Sequence, residues 1–61
     1  MTEKIYYLER TDAVINALNL IIDEIPCFVE NIPVEMNYIK TTICARTEDI
    51  SYVENILAPY I

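Results

Sequence analysis

The residues of this chain that most readily suggest catalysis are two cysteines and ten carboxylates, and there is no histidine. A cysteine nucleophile usually needs a neighbouring base such as histidine to take its proton, and that partner is missing. Carboxylate pairs occur at Asp23 with Glu24 and at Glu48 with Asp49. Adjacent residues on a helix point in different directions, so neither pair can flank one bond. We therefore expect a protein that is not an enzyme.

Metal and cofactor binding are not expected either. A zinc site of the usual kind needs four Cys or His ligands, whereas Cys27 and Cys44 are only two and lack C-x-x-C spacing. Oxygen cages for Ca²⁺ draw on several spaced ligands and a sharp glycine turn, and the chain has no glycine. The predicted metal and cofactor complement is therefore none.

The first residues, MTEKIYYLE, show neither the basic region nor the apolar region of a secretion signal. We therefore expect a cytoplasmic protein in a reducing compartment, where Cys27 and Cys44 stay as free, buried thiols. A disulfide between these two cysteines is the alternative. No apolar run reaches the 18 residues that a membrane span requires, so no membrane association is expected.

The formal net charge is −6, with four basic residues against ten acidic ones. Nucleic acids and anionic lipids are bound through clustered Lys and Arg, so direct binding of either is not expected. An acidic surface favours fast encounter with basic proteins. The simpler interpretation of the same carboxylates is a solvated surface.

The hydrophobic pattern predicts five elements in a single domain, residues 1–61. Strands are predicted at 4–8, 27–30 and 37–46, where β-branched and aromatic residues concentrate. Helices are predicted at 13–25, with Thr11 or Asp12 as the N-cap and an end before Pro26, and from Thr47, as N-cap, to about Pro59. In the third strand the odd-numbered residues are expected to face the helices: Ile39, Thr41, Ile43 and Ala45. Pro33 predicts an edge strand, and the lack of glycine predicts an open loop rather than a tight hairpin between the last two strands.

This order, strand, helix, strand, strand, helix, predicts an α+β fold: a βαββα split ferredoxin-like half unit with two helices on one face of a small antiparallel sheet. A folded chain of 61 residues buries only about 60% of the surface that its unfolded chain exposes. We therefore expect homodimerisation to complete the core. The sequence leaves two routes open, through a strand edge or through an open sheet face formed by Tyr6, Tyr38, Thr42 and Cys44.

Five tyrosines are a second sign of an interface, because tyrosine joins a large apolar ring to a hydroxyl group that needs a partner. The predicted interface tyrosines are Tyr6, Tyr38 and Tyr60. Acidic residues are predicted to lie near one another and to meet a basic nucleic-acid channel of a larger protein target: Glu30, Glu35, Glu48, Asp49 and Glu54.

The segments EKIYYLE and TTICARTEDISYVENIL, together with the small size and the two-helix pattern, resemble the short, acidic, glycine-poor proteins that phages encode to disable host proteins. Among these, the chain resembles the small inhibitors of the Hachiman defence system. The resemblance implies a non-enzymatic dimer in the host cytoplasm that binds and blocks a helicase–nuclease defence complex. Two alternatives stay open: a regulatory domain that binds a small ligand between paired units, and a structural accessory subunit.

Overall fold

The computed structural model describes residues 1–61 and contains the predicted elements in the predicted order. Short 3₁₀ turns, Thr47–Asp49 and Ala58–Tyr60, precede and follow the second helix. The strands and helices are β1 (Thr2–Glu9), α1 (Asp12–Glu24), β2 (Cys27–Glu35), β3 (Tyr38–Ala45) and α2 (Ile50–Leu57).

The three strands form one sheet in the order β1-β3-β2, and both neighbouring pairs are antiparallel. It follows that β1 and β2 run parallel to each other, with β3 between them and α1 as the crossover connection. This is the split βαβ arrangement. The predicted α+β class with a small antiparallel sheet is therefore confirmed, and β1 and β2 are the two edge strands.

Both helices pack on the same face of the sheet, and the core lies between them and β3. The predicted alternation of β3 is confirmed, because its odd-numbered residues Ile39, Thr41, Ile43 and Ala45 are all buried. Thr41 is the one buried polar residue, and its hydroxyl donates to Asn31 Oδ1 at 2.7 Å. The helices contribute the remaining core residues, together with Leu8: Val14, Ala17, Leu18, Ile21, Ile50, Val53 and Leu57.

The start and end of α1 follow the predicted local chemistry. The Thr11 side chain accepts a hydrogen bond from the Val14 amide at 3.2 Å, which confirms Thr11 as the N-cap. The residue before Pro26, Ile25, leaves helical geometry with φ −134° and ψ 151°.

Strand β2 and the turn after it differ from the prediction. The strand continues to Glu35 instead of ending at Glu30, and only Met36 and Asn37 connect it to β3. The prediction of an open loop between β2 and β3 is therefore wrong, because the two strands form a tight hairpin. Asn37 adopts a φ of 66°, a left-handed geometry that asparagine tolerates better than most other residues. As expected for Pro33, β2 is an edge strand, and its register shifts between Pro33 and Glu35.

The start of α2 also differs from the prediction. Thr47 does not cap the helix, because it lies in the 3₁₀ turn and its hydroxyl is hydrogen-bonded to the Thr2 hydroxyl at 2.7 Å. Asp49 takes the N-cap position, and its carboxylate accepts from Arg46 Nε at 2.8 Å rather than from a helix amide. The Thr47 hydroxyl, which the local sequence pattern predicts to cap α2, is therefore bonded to β1 instead.

Candidate protein-interaction surface

The face of the sheet that points away from the helices carries no other element. Its side chains alternate with those of the core along each strand. We call this surface the open face. It comprises Glu3, Ile5, Tyr7 and Glu9 of β1, Tyr38, Lys40, Thr42 and Cys44 of β3, and Phe28, Glu30, Ile32 and Glu35 of β2.

Apolar, aromatic and charged residues are interspersed on the open face. The strand register places its side chains in four rows, each running from β1 through β3 to β2: Glu3, Cys44, Phe28; Ile5, Thr42, Glu30; Tyr7, Lys40, Ile32; and Glu9, Tyr38, Glu35. Four glutamates and one lysine give the face an excess of three negative charges. Side chains directly opposite on paired strands lie about 4.5–5.5 Å apart at Cβ, so the rows form one continuous surface.

Five large apolar or aromatic side chains of the open face remain in contact with solvent: Ile5, Tyr7, Phe28, Ile32 and Tyr38. Their exposed fractions run from 45% for Tyr38 to 77% for Phe28. Monomeric soluble proteins seldom expose a large contiguous apolar patch unless it serves an interaction. Aromatic residues are also enriched where protein interfaces bury their centre. The open face therefore has the composition of a protein-binding surface.

The structure places three of the predicted interface residues on the open face: Tyr38, Glu30 and Glu35. The predicted position of Tyr6 on the open face is wrong. Tyr6 shares the helix-covered face with Leu8 and packs against the core. Its hydroxyl is buried without a hydrogen-bond partner. Burial, with a smaller contribution from the negative charge of Glu54, raises the pKa of the Tyr6 hydroxyl above 10.0.

Four residues that the sequence interpretation did not single out form most of the apolar part of this surface: Ile5, Tyr7, Phe28 and Ile32. The signal for Tyr7 was present in the two-residue period of β1, because burying Leu8 turns its odd-numbered neighbours outward. No comparable signal existed for Ile32, because its position depends on the continuation of β2 past Glu30.

The five predicted acidic residues do not form a single cluster. Glu30 and Glu35 lie on the open face, whereas Glu48, Asp49 and Glu54 lie in the 3₁₀ turn and in α2. Glu54 pairs with Lys4 Nζ at 3.6 Å. The hydrogen bond and charge of Asp49, with a smaller effect of Glu48, raise the pKa of Arg46.

A groove of about 430 Å³ lies on the opposite side of the molecule, between the two helices. Tyr60, the third predicted interface tyrosine, lines it. The other lining residues are Ala13, Asn16, Ala17, Leu20 and Ile56. Asn16 and the Tyr60 hydroxyl are the only polar side-chain groups in this set, and no charged residue is among them. The groove is therefore separate from the open face in both position and chemistry.

The two cysteines point to opposite faces of the sheet. Cys44 belongs to the open face, and Cys27, one residue before the Phe28 that pairs with Cys44, faces the helices. Their side chains therefore cannot form a disulfide in this fold. Burial raises the pKa of the Cys27 thiol.

No three His, Cys, Asp or Glu side chains converge in a geometry that could hold a metal ion. None of the helices combines the length and the apolar character that crossing a membrane requires. Comparison of the chain with protein-family models, with curated proteins and with solved structures gave no match.

Proposed function

We propose that this chain is a non-enzymatic protein-binding module, an inhibitor that covers part of the surface of a larger host protein with its open face. The observation that supports this most directly is the set of five exposed apolar and aromatic side chains on one sheet face, between glutamates. The phage-encoded inhibitors that the sequence resembles supply the biological context of the proposal.

The energetics of the open face favour a protein partner. Fully burying one side chain the size of Phe28 contributes about 1.5–3 kcal/mol. Protein interfaces depend on a few such anchors near the centre of the contact, where water is excluded. Tyr7 and Phe28, the most exposed of the five, lie on opposite edge strands. Their spacing suits a broad protein surface better than a small ligand.

The negative charge of the open face favours a partner with a basic surface. The open face carries three of the six net negative charges of the chain, so it complements a basic surface. Basic surfaces of this kind are typical of proteins that bind nucleic acid. We propose a nucleic-acid-binding protein as the target. The resemblance to Hachiman inhibitors makes the helicase–nuclease complex of that system the first one to test.

The test is binding of the purified chain to that complex, followed in bacteria by phage plating on cells that carry the defence system. We expect the wild-type chain to bind and to restore plaques. Tyr7→Ala and Phe28→Ala should each weaken binding about 30-fold, the effect of a hot spot of about 2 kcal/mol.

The matched control is Ile22→Ala, which truncates an exposed aliphatic residue on α1. This variant should bind like the wild type, and circular dichroism should show that all three variants are folded. The function proposed here is wrong if truncating the open-face residues leaves both binding and plaque formation unchanged.

A further inference from the structure

The two edges of the sheet differ in how well they are protected from pairing with another strand. On β2, Pro33 offers no backbone N–H, and the register shifts between Pro33 and Glu35. By contrast, β1 contains no proline and pairs with β3 without a shift from Thr2 to Glu9. Its outer edge therefore presents a regular row of unpaired N–H and C=O groups, which is a template for another strand.

We propose that a second copy of this chain pairs with this edge, β1 antiparallel to β1, to form a six-stranded sheet. The two-fold axis that relates antiparallel edge strands is perpendicular to the sheet, so the helices of both copies lie on the same side. The two open faces then become one continuous surface. This inference does not depend on the proposed target.

Charge selects the register of this pairing. Residues directly opposite each other in a sheet point to the same face. At the two-fold axis, one β1 residue must therefore lie opposite the same residue of the second copy, and we describe this residue as lying on the axis. With Tyr6 on the axis, Glu3 would face the partner's Glu9, and with Lys4 on the axis two lysines would meet. Like charges directly opposite are destabilising.

Placing Ile5 on the axis avoids both repulsions. Glu3 then faces the partner's Tyr7, Lys4 faces the partner's Tyr6, and pairing runs from Thr2 to Leu8. A register centred on Tyr7 is also free of like charges, but it pairs only the shorter span from Ile5 to Glu9. We therefore assign Ile5 to the dimer axis.

Docking of two copies through their open faces is the competing arrangement. It would bring together two surfaces that each carry an excess of three negative charges, and it would cover Tyr7 and Phe28. Pairing through the β1 edge separates these charges laterally and leaves the aromatic residues accessible.

The experiment is light scattering over a dilution series, on the wild type and on two lysine variants. The wild type should show twice the chain mass of 7.1 kDa at high concentration and the single mass on dilution. Ile5→Lys should remain monomeric, because two lysines would face each other on the axis. Ile32→Lys changes a similarly exposed isoleucine on β2 and should still dimerise.

A cross-linking variant tests the register and does not depend on loss of association. Cα atoms opposite each other on antiparallel strands lie about 4.5–5.5 Å apart, within the range that a disulfide spans. In a chain with Cys27→Ala and Cys44→Ala, Ile5→Cys should give a covalent dimer under mild oxidation. Phe28→Cys in the same background should give none.

A wild-type chain that is folded and monomeric at every concentration would overturn the proposal. Equal loss of dimer in both lysine variants, or equal cross-linking at positions 5 and 28, would also overturn it, in favour of docking through the open faces. A wild-type chain that inhibits the target while it stays monomeric would contradict this inference and leave the proposed function standing.

Discussion

Tyr6 carries the one buried side-chain polar atom of the chain that has no hydrogen-bond partner. Its ring packs against the core, but its hydroxyl is buried with no hydrogen-bond partner. A buried hydroxyl that has lost its contacts with water costs about 1–3 kcal/mol. The aromatic ring of Tyr6 therefore stabilises the fold, whereas its hydroxyl destabilises it.

We predict that Tyr6→Phe stabilises the fold by about 1 kcal/mol, because it removes the unpaired hydroxyl and keeps the ring. Tyr7→Phe is the matched control, since the Tyr7 side chain is on the open face and its hydroxyl is accessible to water. Urea unfolding at neutral pH followed by circular dichroism measures both changes. A loss of stability in Tyr6→Phe would mean that the hydroxyl has a partner in solution.

The same hydroxyl gives the fold a pH dependence. Because the folded chain holds the Tyr6 pKa above its ordinary value of 10.0, the unfolded chain loses this proton more readily. Below pH 10.0 this group stays protonated in both states and does not change the stability of the fold, and the stability falls as the pH rises toward the higher pKa of the folded state. We predict that thermal unfolding at pH 9 to 11 shows a steeper loss for the wild type than for Tyr6→Phe. Parallel curves for the two proteins would contradict this.

At the scale of elements, the hairpin between β2 and β3 depends on Asn37. Its φ of 66° is costly for a residue with a Cβ, and the short polar side chain of asparagine lowers this cost. The Asn37 carbonyl also accepts a hydrogen bond from the Arg10 amide, which joins the turn to the end of β1.

We predict that Asn37→Ala destabilises the protein by about 1 kcal/mol, whereas Asn37→Gly is neutral or stabilising. Both variants remove the polar amide of the side chain, but only glycine, which has no Cβ, adopts the left-handed geometry without strain. Chemical denaturation of the wild type and both variants measures the free energy of unfolding. It separates the cost of the left-handed backbone geometry from the loss of side-chain contacts. If alanine and glycine have the same effect, the side chain rather than the backbone geometry determines the stability of the turn.

The elements that sequence reasoning predicted well are those whose signals are local and repeated. The alternation in β3, the helical spacing of α1 and the Thr11 cap each depend on neighbours within a few residues, so the sequence determines them directly. The end of β2 and the start of α2 were mispredicted because each depends on a partner far along the chain. Pairing with β3 extends β2 past Pro33, and Thr2 holds the Thr47 hydroxyl.

The candidate site was predicted less completely than the fold. Composition indicated an interface rich in tyrosine and acidic residues, and Tyr38, Glu30 and Glu35 do share the open face. Phe28 and Ile32 join them through the register of β2 against β3, which no single segment encodes. Tyr6 was misplaced because both faces of β1 carry aromatic residues, so its pattern alone does not show which face is buried.

For the whole molecule, the small core leaves apolar surface on two opposite sides. Only 12 of the 61 residues are buried, and the open face and the groove between the helices both remain uncovered. The predicted acidic residues are also divided, with Glu30 and Glu35 on the open face and Glu48 and Glu54 in the 3₁₀ turn and α2. This division allows the electrostatic role of the open face to be tested separately from the net charge.

We predict that Glu30→Lys slows association with a basic target about tenfold at low ionic strength, because local charge complementarity raises the rate of encounter. Glu48→Lys changes the net charge by the same amount in the 3₁₀ turn, away from the open face, and should slow association less. Stopped-flow or surface-binding kinetics at several salt concentrations measure both rates. The difference should shrink as salt screens the charges, since the Debye length falls to about 3 Å at 1 M. Equal rates for the two variants at low salt would show that net charge steers the encounter, and the open face would then keep only its apolar anchors as determinants of binding.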